Sequence, residues 1–183
     1  SRMCSGHLQG RILKMLCNLV NAHNILELGT FSGYSALSMA EALSPDPQTG
    51  KAEIHTIEIF DELEDFIRAH FDASEYGSRI VLHIGDAEQI IPTLDTRFDL
   101  VFIDANKRDY VADYEMAMQV LNPGGFIIAD NTLWDGKVVT CTEKIDAQTA
   151  GILAFNDHVA ADDRVEVVII PLRDGLTIIH KKK

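Results

Sequence analysis

Three polar residues close two apolar runs. FDLVFIDA runs into Asp104, with Lys107 three positions later, and GFIIADN runs into Asp130 and Asn131. Oxygen-bearing groups at the ends of buried strands are costly unless they find a partner. Two carboxylates and one amide make a hard oxygen set that suits Mg²⁺, Mn²⁺ or Ca²⁺, with positions left over for water and a substrate. Zinc would call for His or Cys instead. The plain alternative is helix capping by Asp104 and a loop turn at Asp130 and Asn131.

A second constellation precedes this one. LELGTFSGYSAL reads as a strand, a glycine-rich turn holding Gly29, Thr30 and Gly33, and the start of a helix. Glycines let a backbone turn tightly and approach a ligand, and a helix start offers unpaired amides. The spacing is GxxxG, whereas a dinucleotide fingerprint is GxGxxG. Glu27 stands just before the turn, where an acid would repel a pyrophosphate and welcome a cationic cofactor. S-adenosylmethionine, with its sulfonium, fits that requirement. Glu58 ends the run IHTIE and could accept ribose hydroxyls. Gly85, Asp86 and Ala87 follow the next run; the small residues could admit an adenine edge and Asp86 could accept its amine. The plain alternative for Asp86 is a helix cap.

The elements that must position these residues alternate along the chain. Ser5 can cap a helix whose apolar positions are Leu8, Ile12, Leu13, Leu16 and Val20. Strands are expected at NILELG, AEIHTIEI, RIVLHIG, FDLVFIDA and GFIIAD. Helices are expected over 34–43 and 61–77, a broken turn at AEQIIPTL, a helix from Asp109 stopping at Asn122-Pro123-Gly124, and another near 147–160. The chain closes with two β-rich runs flanking LRDG, a hairpin signal. Continuous apolar strands alternating with helices predict an α/β fold: an open, mostly parallel sheet with an antiparallel C-terminal hairpin and helices on both faces. Ligands of such sheets bind beyond the carboxyl ends of the strands, where nearly all the residues named above fall.

The 183 residues, 46% of them hydrophobic and 24% charged, suit one domain over 1–183. The opening residues read as the lead-in to a helix, so the start reads as cropped. The formal net charge is −12, which disfavours nucleic acid and an anionic membrane surface as partners. The HKKK end reads as a solvated tail. Cys4, Cys17 and Cys141 form no CxxC pair, so neither a disulfide framework nor a zinc site is expected and a reducing cytoplasm fits. No apolar run is long enough to span a membrane.

ELGTFSGYSAL, FIDANKRDY, LNPGG, ADNTLWDG and the closing DGLTIIHKK together resemble the cation-dependent O-methyltransferases of the caffeoyl-CoA and catechol type, in a bacterial branch. The likeness runs from about Ser5 to the end. It implies a Rossmann-like, seven-stranded class I methyltransferase fold, a cation on Asp104, Asp130 and Asn131, and cofactor contacts near Ser5, Glu27, Gly29, Ser35, Glu58 and Ala87. It places Lys107 at the general base, implies a small hydroxylated aromatic acceptor with vicinal hydroxyls, and suggests a homodimer. Trp134 and Asp135, in the loop after the cation pair, become candidate acceptor contacts, with simple packing the alternative for Trp134. The family usually carries an acid near the cofactor where this chain has Asn106, which implies a weaker hold on the donor. The N-terminal segment that plant members use for acyl-CoA acceptors has no counterpart here, which points away from a CoA ester. The rival readings are an NAD-linked oxidoreductase, disfavoured by the missing GxGxxG and by Glu27, and a non-catalytic adenosyl-binding module.

Overall fold

The computed structural model describes residues 6–140 and 145–183; Ser5, Cys4 and Cys141 lie outside them. Seven strands form one sheet in the order β3-β2-β1-β4-β5-β7-β6. These are β1 (Asn24–Leu28), β2 (Glu53–Glu58), β3 (Ile80–Ile84), β4 (Phe98–Ile103), β5 (Leu121–Asp130), β6 (Val165–Ile170) and β7 (Leu176–Lys181). The first five run parallel, and β7 pairs antiparallel with both β5 and β6. The helices are α1 (Gly6–Val20), α2 (Tyr34–Ala40), α3 (Glu64–Asp72), α4 (Ala87–Ile90), α5 (Tyr110–Val120) and α6 (Ala147–Ala161).

The central strands explain the architecture. In β4, Leu100, Val101, Phe102 and Ile103 are all fully buried. A strand apolar on both faces is stable only with layers on each side. Tyr110, Tyr114, Phe155 and Ile152 of α5 and α6 cover one face, and Leu13, Cys17, Met39 and Ala40 of α1 and α2 cover the other. Chain order reverses direction across β1 and β4, so the crevice beyond their carboxyl ends is open to a ligand.

Three expectations are revised. In α1 the inward stripe is Gln9, Leu13 and Cys17, and Leu8 is 60% exposed. Gly10 lies in that stripe: a Cβ there would lie 2.7 Å from Oγ of Ser38 and 2.8 Å from Cε1 of Tyr34, so the glycine favours the close approach of α1 to α2. Strand β5 begins at Leu121 and takes Asn122, Pro123 and Gly124 into its first half. The register against β4 shifts between Phe98 and Leu100, and such an irregularity accommodates a proline that cannot donate to the ladder. The 61–77 segment is α-helical only over Glu64–Asp72, with single 3₁₀ turns at Asp61–Leu63 and Gly77–Arg79.

Gly10→Val should force α1 off α2 and cost about 1–3 kcal/mol; thermal unfolding would show a melting point several degrees lower with the same final unfolded signal.

Candidate active site

A cavity of about 1180 Å³ opens beyond the carboxyl ends of β1, β2, β4 and β5. Of the residues singled out in the sequence, Gly29, Glu58, Asp86, Ala87, Asp104, Asn106, Lys107, Asp130, Asn131, Trp134 and Asp135 line it. Glu27, Thr30, Gly33 and Ser35 do not. They stand behind its wall.

The parallel pairing of β4 and β5, with Ile103 opposite Ala129, brings Asp104 and Asp130 side by side. Burial pushes the Asp104 carboxyl above its usual range, with Lys107 opposing the shift. Burial raises Asp130 to about 6, and the neighbouring Asp104 charge adds to it. Two carboxylates thus face one another in a site that resists their charge. Lys107 answers them directly: its Nζ donates to Asp104 Oδ1 at 2.7 Å and to the Ala105 carbonyl at 3.0 Å, and the Arg173 charge also acts on Asp104. Only 8% of Lys107 is exposed, and its ammonium also lies 5.0 Å from the Tyr110 ring centroid. Asp104 is therefore no helix cap, and Lys107 is no surface lysine. Asn131 follows with φ 60°, a left-handed conformation asparagine tolerates, and its amide N–H donates to Asp130 Oδ1 at 2.8 Å. Two carboxylates and an amide side chain lining the same end of the cavity are a donor set whose chemistry suits a hard divalent cation.

The cofactor end is built differently. Glu58 is buried, and its two oxygens accept the Phe31 amide at 2.8 Å and the Phe60 amide at 3.1 Å. Those bonds aim a fixed carboxylate at the cavity and leave lone pairs for hydroxyl donors. Gly29 has φ 94°, and any Cβ there would collide with the Asp104 carbonyl, so the glycine serves the close approach of β1 to β4. Gly33 answers a packing need as well: its missing Cβ makes room for Phe71. Asp86 does cap α4, accepting the Glu88 amide at 2.9 Å. Asn106 donates to Asp109 at 2.7 Å.

Glu27 is fully buried, and Thr56 donates to its Oε2 at 2.5 Å while also meeting Thr30 Oγ1 at 2.6 Å. Its Oε1 is buried without a partner. Burial raises this acid to about 7, with hydrogen bonds from Ser35 and Thr56 opposing the shift. Behind the cavity wall, this acid is held by the fold's own hydroxyls.

The sequence reading missed several wall residues. Asp113 of α5 is buried, with Oδ2 unpartnered; burial and the nearby Asp109 raise it to about 7. Gln9, Lys137, Arg173 and Asp174 also line the cavity. No local pattern marks Asp113, and nothing in the hairpin dipeptide Arg173-Asp174 signals that the β6–β7 turn reaches the site. Asp174 accepts the Asp135 amide. Among the described residues, five of the six non-glycine positions with positive φ (Phe31, Asn131, Trp134, Asp135 and Arg173) line this cavity. Such backbone costs about 1–3 kcal/mol per residue and gathers at functional sites. A separate cluster, Glu115, His158 and Asp162, is close enough to hold an ion, but Arg164 already lies 2.7 Å from Glu115 and 2.6 Å from Asp162.

Glu27 yields a pH prediction. Its folded-state pKa lies above the unfolded value, so the stability it contributes is present below about pH 4.5 and is lost as pH rises to about 7. Glu27→Gln should melt progressively higher than the unmutated protein between pH 4.5 and 7.5 without ligands; a constant gap would show that the acid ionises freely in the fold.

The profile of a protein family described as O-methyltransferase matches residues 1–182. Caffeoyl-CoA O-methyltransferase 2 of Zea mays is 33% identical over 96% of this chain and 69% of its own length. Catechol O-methyltransferase of Niastella koreensis is 33% identical over 90% of this chain and 73% of its own. The O-methyltransferase TomG of Streptomyces achromogenes, solved in complex with SAM, superposes with a TM-score of 0.89 at 30% identity, covering 99% of this chain and 82% of that one. An O-methyltransferase from Bacillus cereus in complex with SAH gives 0.87 at 28% identity, covering 97% and 82%. No described helix is long and apolar enough to cross a membrane. Sheet order, cavity position and these likenesses agree: the chain belongs to the S-adenosylmethionine-dependent O-methyltransferases.

Proposed function

We propose that this protein methylates one of two vicinal hydroxyls on a small aromatic acceptor, with a divalent cation held by Asp104, Asp130 and Asn131. The observation that carries the reading is the pair of neighbouring carboxylates, Asp130 buried and Asp104 partly buried, both raised by burial, with Lys107 paired to Asp104. Bound S-adenosylmethionine would supply a methyl group on a sulfonium, and a bound cation would supply positive charge that favours the ionised acceptor hydroxyl.

The chain's own residues do the rest. Glu58, fixed by two backbone amides, orients the donor through hydroxyls. Asp104 and Asp130 set where the acceptor's hydroxyl pair must sit. Lys107, four residues past Ile103 at the β4 end, would act as the neutral amine: having given its own proton to solvent, its Nζ takes the hydroxyl proton. Trp134 forms a wall of the acceptor end, with Lys137 Nζ 5.7 Å from its ring centroid, and Asp135 closes the same rim. Because a sulfonium is already a good leaving group, most of the acceleration comes from positioning, which can contribute about 7–11 kcal/mol.

The names of the relatives support an aromatic hydroxyl acceptor: one is a catechol O-methyltransferase and one a caffeoyl-CoA O-methyltransferase. A homodimer, with strand β6 as its interface, is part of the same proposal. This edge strand leaves Val167, Val168 and Ile169 at least 40% exposed, an apolar edge that invites pairing.

The test is turnover of a dihydroxybenzoate by the purified chain, with magnesium and with a chelator. Methyl transfer that stops with chelator and returns with magnesium supports the reading; equal rates on a monohydroxy analogue with chelator present would refute it. Asp130→Ala should abolish magnesium-stimulated turnover while S-adenosylhomocysteine still raises the melting point; loss of both would mark Asp130 as structural. Lys107→Ala should slow turnover about 10²–10⁴-fold with the metal requirement intact, and an unchanged rate would remove it from the base role. Val168→Lys should shift sedimentation from dimer to monomer; an unchanged profile would place any interface elsewhere.

A further inference from the structure

The proposed cation ligands are held unequally. Asp104 carries a cationic partner, Lys107. Asp130 is held by neutral donors. Gln9 Nε2 donates to its Oδ2 at 2.5 Å, across 121 positions of sequence. The Asn131 amide donates to its Oδ1 at 2.8 Å, and the Tyr110 hydroxyl donates to its backbone carbonyl at 2.9 Å. Gln9 is 2% exposed and Asp130 is 4% exposed. An ionised carboxylate only accepts, so the amide nitrogen of Gln9 is the atom that faces it.

From this arrangement we infer that Gln9 is a positioning residue for the cation site: it locks the Asp130 carboxylate in its ligating orientation and ties helix α1 to that site. The inference rests on the cation reading above. Each Asp130 oxygen takes one neutral donor and keeps lone-pair capacity for an ion. A lysine in the place of Gln9 would spend the carboxylate's charge, and an apolar residue would leave the group free to rotate. The fold also accounts for why Gln9 points inward. Gly10 lets α1 sit against Tyr34, and Leu13 and Cys17 continue the same buried stripe one and two turns on. A glutamine almost wholly removed from solvent needs a partner, and Asp130 supplies it. Cation binding and the docking of α1 are therefore linked, and each stabilises the other.

The experiment is a manganese titration of the full chain, followed by the electron paramagnetic resonance signal of free Mn²⁺, without donor or acceptor. The variants are Gln9→Met, which keeps the volume and removes the donor, and Gln9→Asn, which keeps an amide that falls short. Outer-sphere partners of metal ligands typically account for about 10–100-fold in affinity, and that weakening is expected in both variants. S-adenosylhomocysteine affinity, measured calorimetrically, should stay unchanged in both. Manganese should also slow amide exchange across Gly6–Cys17 in the unmutated chain. Unmutated affinity in a folded variant, or α1 exchange indifferent to manganese, would overturn the inference and leave the cation reading standing. An unmutated chain that binds no manganese would overturn both.

Discussion

Two carboxylates, one buried and one partly buried, set side by side at the ends of neighbouring strands are the constraint on which this structure turns. Burial raises both Asp104 and Asp130, and the nearby Asp104 charge adds to the shift at Asp130. Lys107 offsets part of the Asp104 shift with a 2.7 Å ion pair. Gln9, the Asn131 amide and the Tyr110 hydroxyl surround Asp130 with donors that carry no charge. It is this arrangement of two acids, one paired with a lysine and one held by neutral donors, that the proposed cation would complete.

The sheet makes the pairing unavoidable. Strands β4 and β5 are neighbours in parallel register, so residues just past Ile103 and Ala129 emerge at the same level. Strand β1 lies on the other side of β4, and Gly29 passes so close to the Asp104 carbonyl that no side chain fits between them. The glycine turn after β1 and the Asp104 end of β4 are thus joined through the backbone. The left-handed residues around the rim store strain where loops must bend back over the cavity.

Much of this was legible in residue order. Apolar runs ending in Asp104 and in Asp130-Asn131 announced both the strands and the site, because a strand buried on both faces has few reasons to end in acids. The parallel sheet followed from the alternation of such runs with helices. What pattern alone obscured depended on close contacts. Helical spacing pointed Leu8 inward, yet Gln9 takes the buried place, beside Gly10 where α1 comes close to α2. Gly33 looked like a ligand-facing glycine and instead accommodates Phe71. Thr30, Ser35 and Glu27 belong to a buried network behind the wall, and only a three-dimensional register places Thr56 of β2 beside Glu27 of β1. Asp113, Arg173 and Asp174 reach the cavity from elements whose orientation no local pattern encodes.

The most direct test of the central claim is a diffraction experiment on crystals grown with S-adenosylhomocysteine and manganese, with data collected at the manganese absorption edge. The account predicts an anomalous peak in contact with oxygens of Asp104, Asp130 and Asn131, with Lys107 Nζ withdrawn from Asp104. A fully occupied adenosyl ligand with no peak there, or a peak only at Glu115, His158 and Asp162, would contradict it.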